Sequence, residues 1–584
     1  MFDIHKRRRF RRGSSLLRYC GWLFAIAIMP SGGLCAVDGD ARPNIILVVT
    51  DDQGYGDLGF HGNPEISTPN LDTFAHESLV MTRFYVEPIC SPTRASLLTG
   101  RYHMRTGVLA TSRGGARIFG DEETIAEVLS ENGYRTAISG KWHLGDNAPS
   151  RPQDQGFQHV LVHRSGGVGQ IPDADATYDR PVLWRNGRRE VAEGYCTDLF
   201  FETAIDFIRE NSKHPFFLYL PTNVPHTPLS VDEKYWKPFA DAGLPEKTAK
   251  LYGMMKNLDN NFGQLMKTLS DNDLVENTIV IFMSDNGPTS GRYNFGLRGS
   301  KGSVYEGGIR VPFLVRWPRR ITAGNSLDRV AAHIDLLPTL ADAAGVTLFT
   351  RKRIDGVSLL GLWTGAIEPK VWPARNVYIQ TDKRILQNRY LNAAVINQRY
   401  KWVSHAGISK VDRLDETKVE LYDLTNDPSE SQNIASGSPE ISRELATGYE
   451  IWFDKMQRDR EFAIGPIDIG GELENPTYLC RYQDAQNLTG QSRTDGWQVH
   501  VRRTGRYRLT LQWPDHDGGA MVVNWQGKHA AYPLGKDERS ADLTLEAGRG
   551  LLEVNFQTPA GRKIQQPWND KTEKGDVWVE RITK

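Results

Sequence analysis

Residues 44–52 of the chain read NIILVVTDD, an apolar and mostly β-branched run that ends in two carboxylates. Such a run is typical of a strand that is buried on both faces of a parallel sheet. Similar runs occur at residues 135–139, 216–220 and 278–283. Helical patterns lie between these runs, at residues 124–132, 197–211 and 251–272. The alternation predicts an α/β fold with helices on both faces of the sheet.

The pattern changes twice further along the chain. Beyond residue 370 the predicted strands are short and antiparallel, and one helix is expected near residues 440–456. After a Gly/Pro-rich link, apolar and polar residues alternate between turn signals, which is typical of a β-sandwich. We therefore predict three folded regions: a large α/β domain at residues 42–370, a smaller α+β subdomain at 371–464 and a β-sandwich at 470–584.

The composition limits the classes of protein that remain. The chain has 584 residues, with 71 Lys and Arg against 71 Asp and Glu, and 39% of its residues are hydrophobic. A chain of this length needs more than one hydrophobic core. The balanced charge argues against a broad basic surface, so no nucleic-acid partner is expected. The chemistry must therefore be sought in local clusters of residues.

The first residues resemble an export signal. A basic cluster at residues 6–12 precedes an apolar stretch at residues 16–29, which is shorter than the about 20 residues of a membrane span. We therefore predict a signal peptide at residues 1–36, a periplasmic or extracellular location and no stable membrane span. An uncleaved anchor is the alternative, and residues 7–10 (RRRF) leave both Sec and twin-arginine export open.

Cleavage after residue 36 would change the cysteine inventory. Cys20 and Cys35 would leave with the signal peptide, and Cys90, Cys196 and Cys480 would remain. An odd number of cysteines in an exported protein predicts at least one free sulfur.

Polar side chains follow the predicted strands. Asp51 and Asp52 end the first strand, and Asp285 and Asn286 follow the strand at residues 278–283. Because the carboxyl ends of parallel strands share one edge of a sheet, we expect these side chains to meet there. Carboxylate and amide oxygens suit a hard cation such as Ca²⁺ or Mg²⁺ and do not suit zinc.

Basic side chains are expected at the same edge. Lys141 and His143 follow the strand at residues 135–139, His226 follows the one at 216–220, and Lys301 lies in a glycine-rich loop. Alone, each is more often a solvated loop residue or a satisfied core histidine. Together, a metal surrounded by Lys, His and Arg is what an enzyme acting on an anionic ester would need.

Residues 90–101 read CSPTRASLLTGR and predict the start of a helix. Ser91 is the expected N-cap, Pro92 the first helical residue and Gly100 the stop. Cys90 would then lie just before the helix, where the dipole favours an anion, and Arg94 could fold back to the same end. The alternative is an ordinary buried cysteine beside a capped helix.

The segment Cys90-x-Pro92-x-Arg94 with its ASLLTGR continuation resembles the signature of the formylglycine-dependent sulfatases. This arylsulfatase family belongs to the alkaline-phosphatase-like superfamily, and the resemblance, to an exported bacterial type, extends over residues 43–457. Other motifs resemble those of the family in the same order: PNI at 43–45, DD at 51–52, GKWHLG at 140–145, PH at 225–226, SDNG at 284–287, Lys301 with GIRVP at 308–312, and LYDL at 421–424. The implied fold is an alkaline-phosphatase-like mixed sheet with helices on both faces and a smaller α+β C-terminal subdomain, here followed by the β-sandwich.

The resemblance also implies a cofactor and a reaction. A formylglycine-generating maturation enzyme would oxidise Cys90 to an aldehyde, and one calcium ion would be held by residue 90 with Asp51, Asp52, Asp285 and Asn286. The hydrated aldehyde would attack the sulfur of a sulfate ester, release the alcohol and then expel sulfate as the carbonyl reforms.

Roles for the basic residues follow from the same resemblance. Arg94 and His143 would orient and activate the hydrated aldehyde, Lys141 and Lys301 would bind sulfate oxygens, and His226 would protonate the leaving oxygen. Asp57, His61 and Arg310 are expected to organise loops around the site. The alternatives are a phosphonate or phosphate monoester hydrolase of the same superfamily and a non-catalytic binding protein with an unmodified Cys90.

The last region bears on the substrate. Residues 505–511 and 547–554 resemble the jelly-roll sandwiches of carbohydrate-binding modules, which favours a sulfated carbohydrate over an aryl sulfate as the natural substrate. Trp497, Trp513, Trp525 and Trp568 are candidates for stacking on sugar rings, although most tryptophans in such domains are core. The hypothesis is a polysaccharide tether, whose deletion would spare turnover of a small aryl sulfate.

Overall fold

The computed structural model describes residues 42–289, 291–348, 352–382, 387–405, 414–486, 496–512, 516–561, 563–564 and 576–582. The predicted signal peptide, with Cys20 and Cys35, lies outside these residues, as do Trp513 and Trp568. Among the described residues, no helix is both long enough and apolar enough to cross a membrane.

Residues 44–332 supply two sheets. Their strands are β1 Asn44–Thr50, β2 Leu79–Met81, β3 Phe84–Tyr85, β4 Arg135–Lys141, β5 His159–His163, β6 Val182–Arg185, β7 Arg188–Val191, β8 Phe216–Pro221, β9 Thr278–Ser284, β10 Arg310–Val311, β11 Phe313–Arg316, β12 Ser326–Leu327 and β13 Ala331–Ala332. The large sheet has the order β12-β2-β11-β9-β1-β8-β4-β5-β6-β7, and β10, β3 and β13 form a small one. The centre of the large sheet, β9-β1-β8-β4-β5, is parallel, and antiparallel strands flank it. The predicted mixed sheet is confirmed.

The described helices are α1 Pro69–His76, α2 Cys90–Thr99, α3 His103–Thr106, α4 Ile125–Glu131, α5 Cys196–Glu210, α6 Glu233–Asp241, α7 Glu246–Asp271, α8 Glu306–Ile309, α9 Leu336–Ala343, α10 Leu360–Trp363, α11 Pro439–Arg460 and α12 Arg481–Asp484. Short 3₁₀ turns occur at Gly59–His61, Pro152–Gln155, His333–Asp335, Pro369–Val371, Glu416–Lys418 and Ala435–Gly437. Thr124 caps α4 through a reciprocal capping box with Glu127, which explains why the helix begins where its apolar period begins.

Strand β1 divides the core into two layers. Ile45, Leu47 and Val49 face one layer, which also contains α2, α4 and α9. Ile46 and Val48 face the other, which contains α1, α5 and α7. Because successive strand side chains point to opposite faces, a continuous apolar run is what a strand covered on both sides requires. The predicted helices on both faces are confirmed.

The region that follows is a smaller α+β layer. Strands β14 Val377–Gln380, β15 Ala393–Ile396, β16 Tyr400–Ser404 and β17 Val419–Asp423 form an antiparallel sheet in chain order. Side chains of α11 share a core with this sheet, and Trp402 and Tyr449 are fully buried in it.

The last region, residues 467–582, is called the C-terminal module below. Its strands are β18 Ile467–Ile469, β19 Thr477–Leu479, β20 Trp497–Val501, β21 Gly505–Leu511, β22 Gly519–Trp525, β23 Lys528–Leu534, β24 Ser540–Leu545, β25 Gly548–Gln557, β26 Lys563–Ile564 and β27 Val577–Arg581. They form two sheets, β18-β20-β25-β22-β23 with β26 beside β25, and β19-β27-β21-β24. The sheets share one apolar core, as the alternating pattern predicts. Trp497 and Trp525 are 0% and 5% exposed, so the suggestion that they stack on sugar is wrong for these two residues.

Candidate active site

The candidate active site lies where the parallel strands end. Asp51 follows β1, Asp285 follows its neighbour β9, and Lys141 is the last residue of β4. Thr50 pairs with Ser284 at the ends of β1 and β9, so the carboxylates that follow are adjacent. Helix α2 adds Cys90 to the same place. The sheet therefore brings together residues that are far apart in sequence, as a strand-end site requires.

Three carboxylates and one thiol form the centre of the site. One ligand atom from each of Asp51, Asp52, Cys90 and Asp285 lies within 4.8 Å of the others, and all four residues are buried. The Cys90 Sγ lies 3.4 Å from Asp51 Oδ1. Burial raises the pKa of the Cys90 thiol to about 12, although Lys141 and Lys301 act in the opposite direction. The unmodified thiol is therefore neutral near neutral pH.

Helix α2 begins earlier than the sequence predicts. Cys90 is its first residue and Ile89 its N-cap, so the assignments of Ser91 as N-cap and Pro92 as first helical residue are wrong. The error has a physical cause, because the first four N–H groups of a helix lack intrahelical partners and proline is tolerated at several of these positions. The predicted stop is confirmed by Gly100, whose φ of 65° is left-handed.

Two fully buried ion pairs neutralise part of the cluster. Arg94 donates to Asp285 Oδ2 from Nη2 at 2.7 Å and from Nε at 3.0 Å, and its Nη1 donates to the Lys141 carbonyl. Lys141 Nζ donates to Asp51 Oδ2 at 2.7 Å. Burial opposes ionisation of Asp51, but Lys141 and the other cations outweigh it and hold its pKa well below the ordinary value. Burial and then the charge of Asp51 raise the pKa of Asp285 to about 6.

Asp52 turns the chain into the site. Its φ of 65° lies in the left-handed region, which Asp tolerates better than bulkier residues. Asp52 Oδ1 accepts a hydrogen bond from Asn286 Nδ2 at 2.8 Å and an ion-pair contact from Lys301 Nζ. Lys301 Nζ also lies 3.4 Å from Cys90 Sγ.

Two histidines lie near the cluster, His226 beside Asp52 and His143 beside the Thr111 carbonyl. His226 Nε2 lies 3.8 Å from Asp52 Oδ2, and its Nδ1 faces the Thr227 carbonyl at 2.6 Å. His143, with a φ of 56°, faces the Thr111 carbonyl with Nε2 at 2.9 Å. Burial lowers the pKa of both rings; Lys141 lowers that of His143 further, whereas Asp51 and Asp52 oppose the shift in His226.

The neighbouring loops are held as expected. Asp57 Oδ2 accepts from the Gly54 N–H at 2.7 Å, and Asp57 Oδ1 accepts from Arg292 Nε at 2.7 Å. His61 stacks on Tyr55 with ring centroids 4.1 Å apart, and Arg310 lies over the same ring at 4.9 Å. Asp57, His61 and Arg310 thus organise loops, in agreement with the sequence.

Sequence reasoning missed Arg292 and Gln53. Arg292 Nη2 donates to the Asp52 carbonyl at 3.0 Å and so fixes the turn at that ligand. Gln53 is fully buried and accepts a 2.7 Å hydrogen bond from Thr50 Oγ1. Gln53 directly follows the Asp51-Asp52 pair, so the sequence could have indicated that it lies at the site. Arg292 lies in an irregular loop, which has no periodic pattern from which its position could be predicted.

The donor set fits a hard cation. Asp52 Oδ2 and Asn286 Oδ1 are buried and have no hydrogen-bond partner among the described residues. An unpaired buried oxygen is costly unless something electropositive meets it. With the carboxylates of Asp51 and Asp285, these oxygens form an all-oxygen set of the kind that calcium or magnesium prefers. The residues predicted from the sequence are therefore compatible with that ion.

Comparison with known proteins supports the resemblance seen in the motifs. The Sulfatase family model matches residues 43–346, and a model described as N-sulphoglucosamine sulphohydrolase, C-terminal, matches residues 298–447. Arylsulfatase A of Homo sapiens is 32% identical over 496 residues, which cover 75% of this chain and 92% of that protein. N-acetylgalactosamine-6-sulfatase of Homo sapiens is 32% identical over 369 residues, covering 58% of this chain and 69% of that protein.

A solved structure agrees with the sequence relatives. Ps i-CgsB in complex with k-i-k-neocarrahexaose superposes with a TM-score of 0.64 at 31% identity, covering 72% of this chain and 94% of that chain. The Sulfatase match extends over every strand of the large sheet and over α1 to α9. The chain therefore belongs to the sulfatase family, with its alkaline-phosphatase-like fold, and is a sulfuric ester hydrolase.

Proposed function

We propose that the enzyme is a formylglycine-dependent, calcium-binding sulfatase that removes sulfate from a sulfated carbohydrate. The observation that carries the proposal is the placement of Cys90 as the first residue of α2, inside a buried group of three carboxylates. A neutral buried thiol is a poor nucleophile, so an unmodified Cys90 offers little chemistry there. If Cys90 is oxidised to the aldehyde, its hydrate would supply the hydroxyl that attacks sulfur.

Asp51, Asp52, Asp285 and Asn286, with residue 90, would hold the calcium ion. The support is the pair of unpartnered oxygens on Asp52 and Asn286 beside two further carboxylates. When bound, calcium would neutralise these carboxylates and polarise a sulfate oxygen. Arg94 would hold Asp285 in position for the ion, since its Nε and Nη2 both donate to Asp285 Oδ2.

Lys141 and Lys301 would bind sulfate oxygens. Lys301 Nζ lies 3.4 Å from the sulfur of Cys90, so an ester bound at residue 90 would meet its ammonium group. Lys141 is fully buried and touches Asp51, which places its charge in a region where electrostatic interactions are strong.

His143 and His226 would move protons. A carbonyl oxygen can only accept, so the contacts with Thr111 and Thr227 require the proton on His143 Nε2 and on His226 Nδ1. His143 Nδ1 is then the basic nitrogen, and it has no hydrogen-bond partner in the described part of the chain. His143 would take a proton from the hydrated residue 90. His226, when its ring is protonated at Nε2 as well as at Nδ1, would give the Nε2 proton to the leaving oxygen, and Asp51 and Asp52 favour this cationic form.

The proposed substrate class rests on the relatives. One 32% identical relative is named as an N-acetylgalactosamine-6-sulfatase, and a 31% identical structure contains a neocarrahexaose. A sulfated saccharide is therefore the first class to test, with a small aryl sulfate as a convenient assay substrate. The domain limits, the signal peptide, export and the maturation enzyme belong to the same proposal.

Mass spectrometry of the peptide that carries residue 90 tests the proposal. In protein exported by its native host, we expect an aldehyde at that position. Cys90→Ala should lower turnover of an aryl sulfate by more than about 10³-fold, whereas Cys196→Ala, which alters another buried free cysteine, should retain it. Calcium removal should abolish turnover, and added calcium should restore it.

Three results would contradict the proposal. An unmodified thiol at residue 90 in fully active protein would exclude the formylglycine chemistry. Faster turnover of phosphonate or phosphate monoesters than of sulfate esters would favour the other hydrolases of the superfamily. Undiminished activity after calcium removal would exclude the metal.

A further inference from the structure

The C-terminal module packs against the loop that holds His143. Backbone N–H groups of Arg113 and Gly114 donate to the carbonyls of Tyr482 and Gln483, at 3.3 and 2.8 Å. Gln483 lies in the short helix α12, which follows β19 and precedes β20 along the chain. Backbone hydrogen bonds therefore join the module to the large α/β domain at residues 42–370, which is called the catalytic region below.

Gln483 extends this junction to the active site. Its side-chain Nε2 donates to the Thr111 carbonyl at 3.3 Å. The same carbonyl faces His143 Nε2 at 2.9 Å. One oxygen therefore accepts from the proposed catalytic histidine and from the module, so the position of the imidazole depends on where Gln483 holds that oxygen.

A buried ion pair anchors the same contact. Arg117 Nη2 lies 3.0 Å from Asp484 Oδ1, with the two side chains 2% and 5% exposed. Gly114 permits the close approach: its φ is +78°, and a Cβ there would come within 3.0 Å of the Asp484 carbonyl. Because a buried charge left without its partner is strongly destabilising, Asp484 fixes the loop at residues 110–117 firmly.

A second contact leads from the module to the same ring. Ile171 packs with Tyr478 and Cys480 of the module in one small buried cluster. The loop that carries Ile171 also passes His143, since a Cβ on Gly166 would lie 2.8 Å from His143 Cε1. The module thus supports the imidazole from two sides, through Thr111 and through the loop at residues 164–173.

We propose that Gln483 and Asp484 are positioning residues of the sulfatase site, which set the orientation of His143 through the Thr111 carbonyl. The C-terminal module then helps to position the site through these two residues and is not only an appended tether. This inference rests on the proposed role of His143. It also reverses the expectation that deletion of residues 470–584 spares a small aryl sulfate, because deletion removes both residues.

A double-mutant cycle tests the inference in the full-length enzyme with a small aryl sulfate as substrate. Gln483→Met keeps the length of the side chain and removes the donor, so kcat should fall roughly 3- to 10-fold, the equivalent of one hydrogen bond, with KM nearly unchanged. In a His143→Ala background, Gln483→Met should have no further effect on kcat, because the two residues act as one unit.

Two further variants separate positioning from stability. Tyr507→Phe removes a partly buried hydrogen bond inside the module, from Tyr507 Oη to the Arg503 carbonyl at 2.6 Å, and should lower Tm without changing kcat. Gln483→His keeps a neutral N–H donor at a similar distance from the backbone and should recover part of the kcat that Gln483→Met loses.

The outcomes are distinguishable. If Gln483→Met leaves kcat unchanged, or lowers it by the same factor with and without His143, the positioning role is wrong while the sulfatase proposal stands. If His143→Ala itself leaves kcat unchanged, the proposed function of His143 is wrong, and the inference falls with it.

Discussion

Charged pairs are buried in the active site and exposed on the surface of the C-terminal module. Arg94 and Asp285 pair at 2.7 Å with both side chains 0% exposed. In the module, Arg508 and Asp542 pair at 2.8 Å, but their side chains are 49% and 30% exposed. The distances are almost equal, so burial and not geometry separates the two pairs. Because buried pairs are costly to desolvate, the buried pair of the active site is explained by its role in the chemistry and not by a gain in stability.

The module obtains its stability differently. Its two sheets enclose an apolar core that contains Trp497, Tyr507 and Phe556. Its buried charged residues include Arg481, Asp484 and Asp576. Of these three, Asp484 pairs with Arg117 of the catalytic region.

The largest expected effect breaks the buried pair. Arg94→Met would leave Asp285 buried without its partner and should lower the free energy of unfolding by about 3–5 kcal/mol. Arg508→Met, the matched change in the module, should cost less than about 1 kcal/mol, because water already screens that pair. Urea unfolding of both variants measures the difference, and equal losses would contradict the distinction between the two regions.

Calcium binding should stabilise the catalytic region by somewhat less than the loss expected for Arg94→Met. At a calcium concentration of about 100 times Kd, binding to the folded state adds about 2.7 kcal/mol, so Tm should rise when calcium is added to metal-free protein. Asp285→Asn should reduce that rise, since it weakens the donor set. An Asp542→Asn variant of the module is the control and should retain the full rise.

The smallest effect concerns the loop after β9. A Cβ on Gly287 would lie 1.9 Å from the Gly307 carbonyl oxygen, whereas one on Gly291 would meet nothing within 4 Å. Gly287→Ala should therefore cost about 1–3 kcal/mol and displace Asn286, which lowers activity. Gly291→Ala should leave both activity and Tm unchanged. A harmless Gly287→Ala would show that this loop is not closely packed on the site.

The fold could be predicted where local pattern and tertiary environment agree. Strand β1 and helices α5 and α7 follow from apolar runs and helical periodicity that match their burial. Strand β23 has no apolar alternation by which the sequence could reveal it, because most of its residues are exposed. The start of α2 was misplaced because cap residues and Pro92 fit several registers of the first turn.

The clustering of Asp51, Asp52, Cys90 and Asp285 could be predicted because each residue belongs to a recognisable strand end or motif. The supporting contacts could not. Gln483 and Thr111 are 372 residues apart, and the contact uses a backbone carbonyl that any residue would supply. Contacts of this kind depend on how two regions pack against each other. Neither the composition nor the spacing of nearby residues predicts that packing.

The burial of α2 bears on whether Cys90 could be modified before or after the chain folds. Every residue of this helix is buried, and Cys90 is only 2% exposed. If Cys90 is modified as proposed, the modifying enzyme could reach the sulfur only before the sheet and the helix pack. Modification and folding would then compete, and slower folding of the large sheet would leave more time for active enzyme to be made.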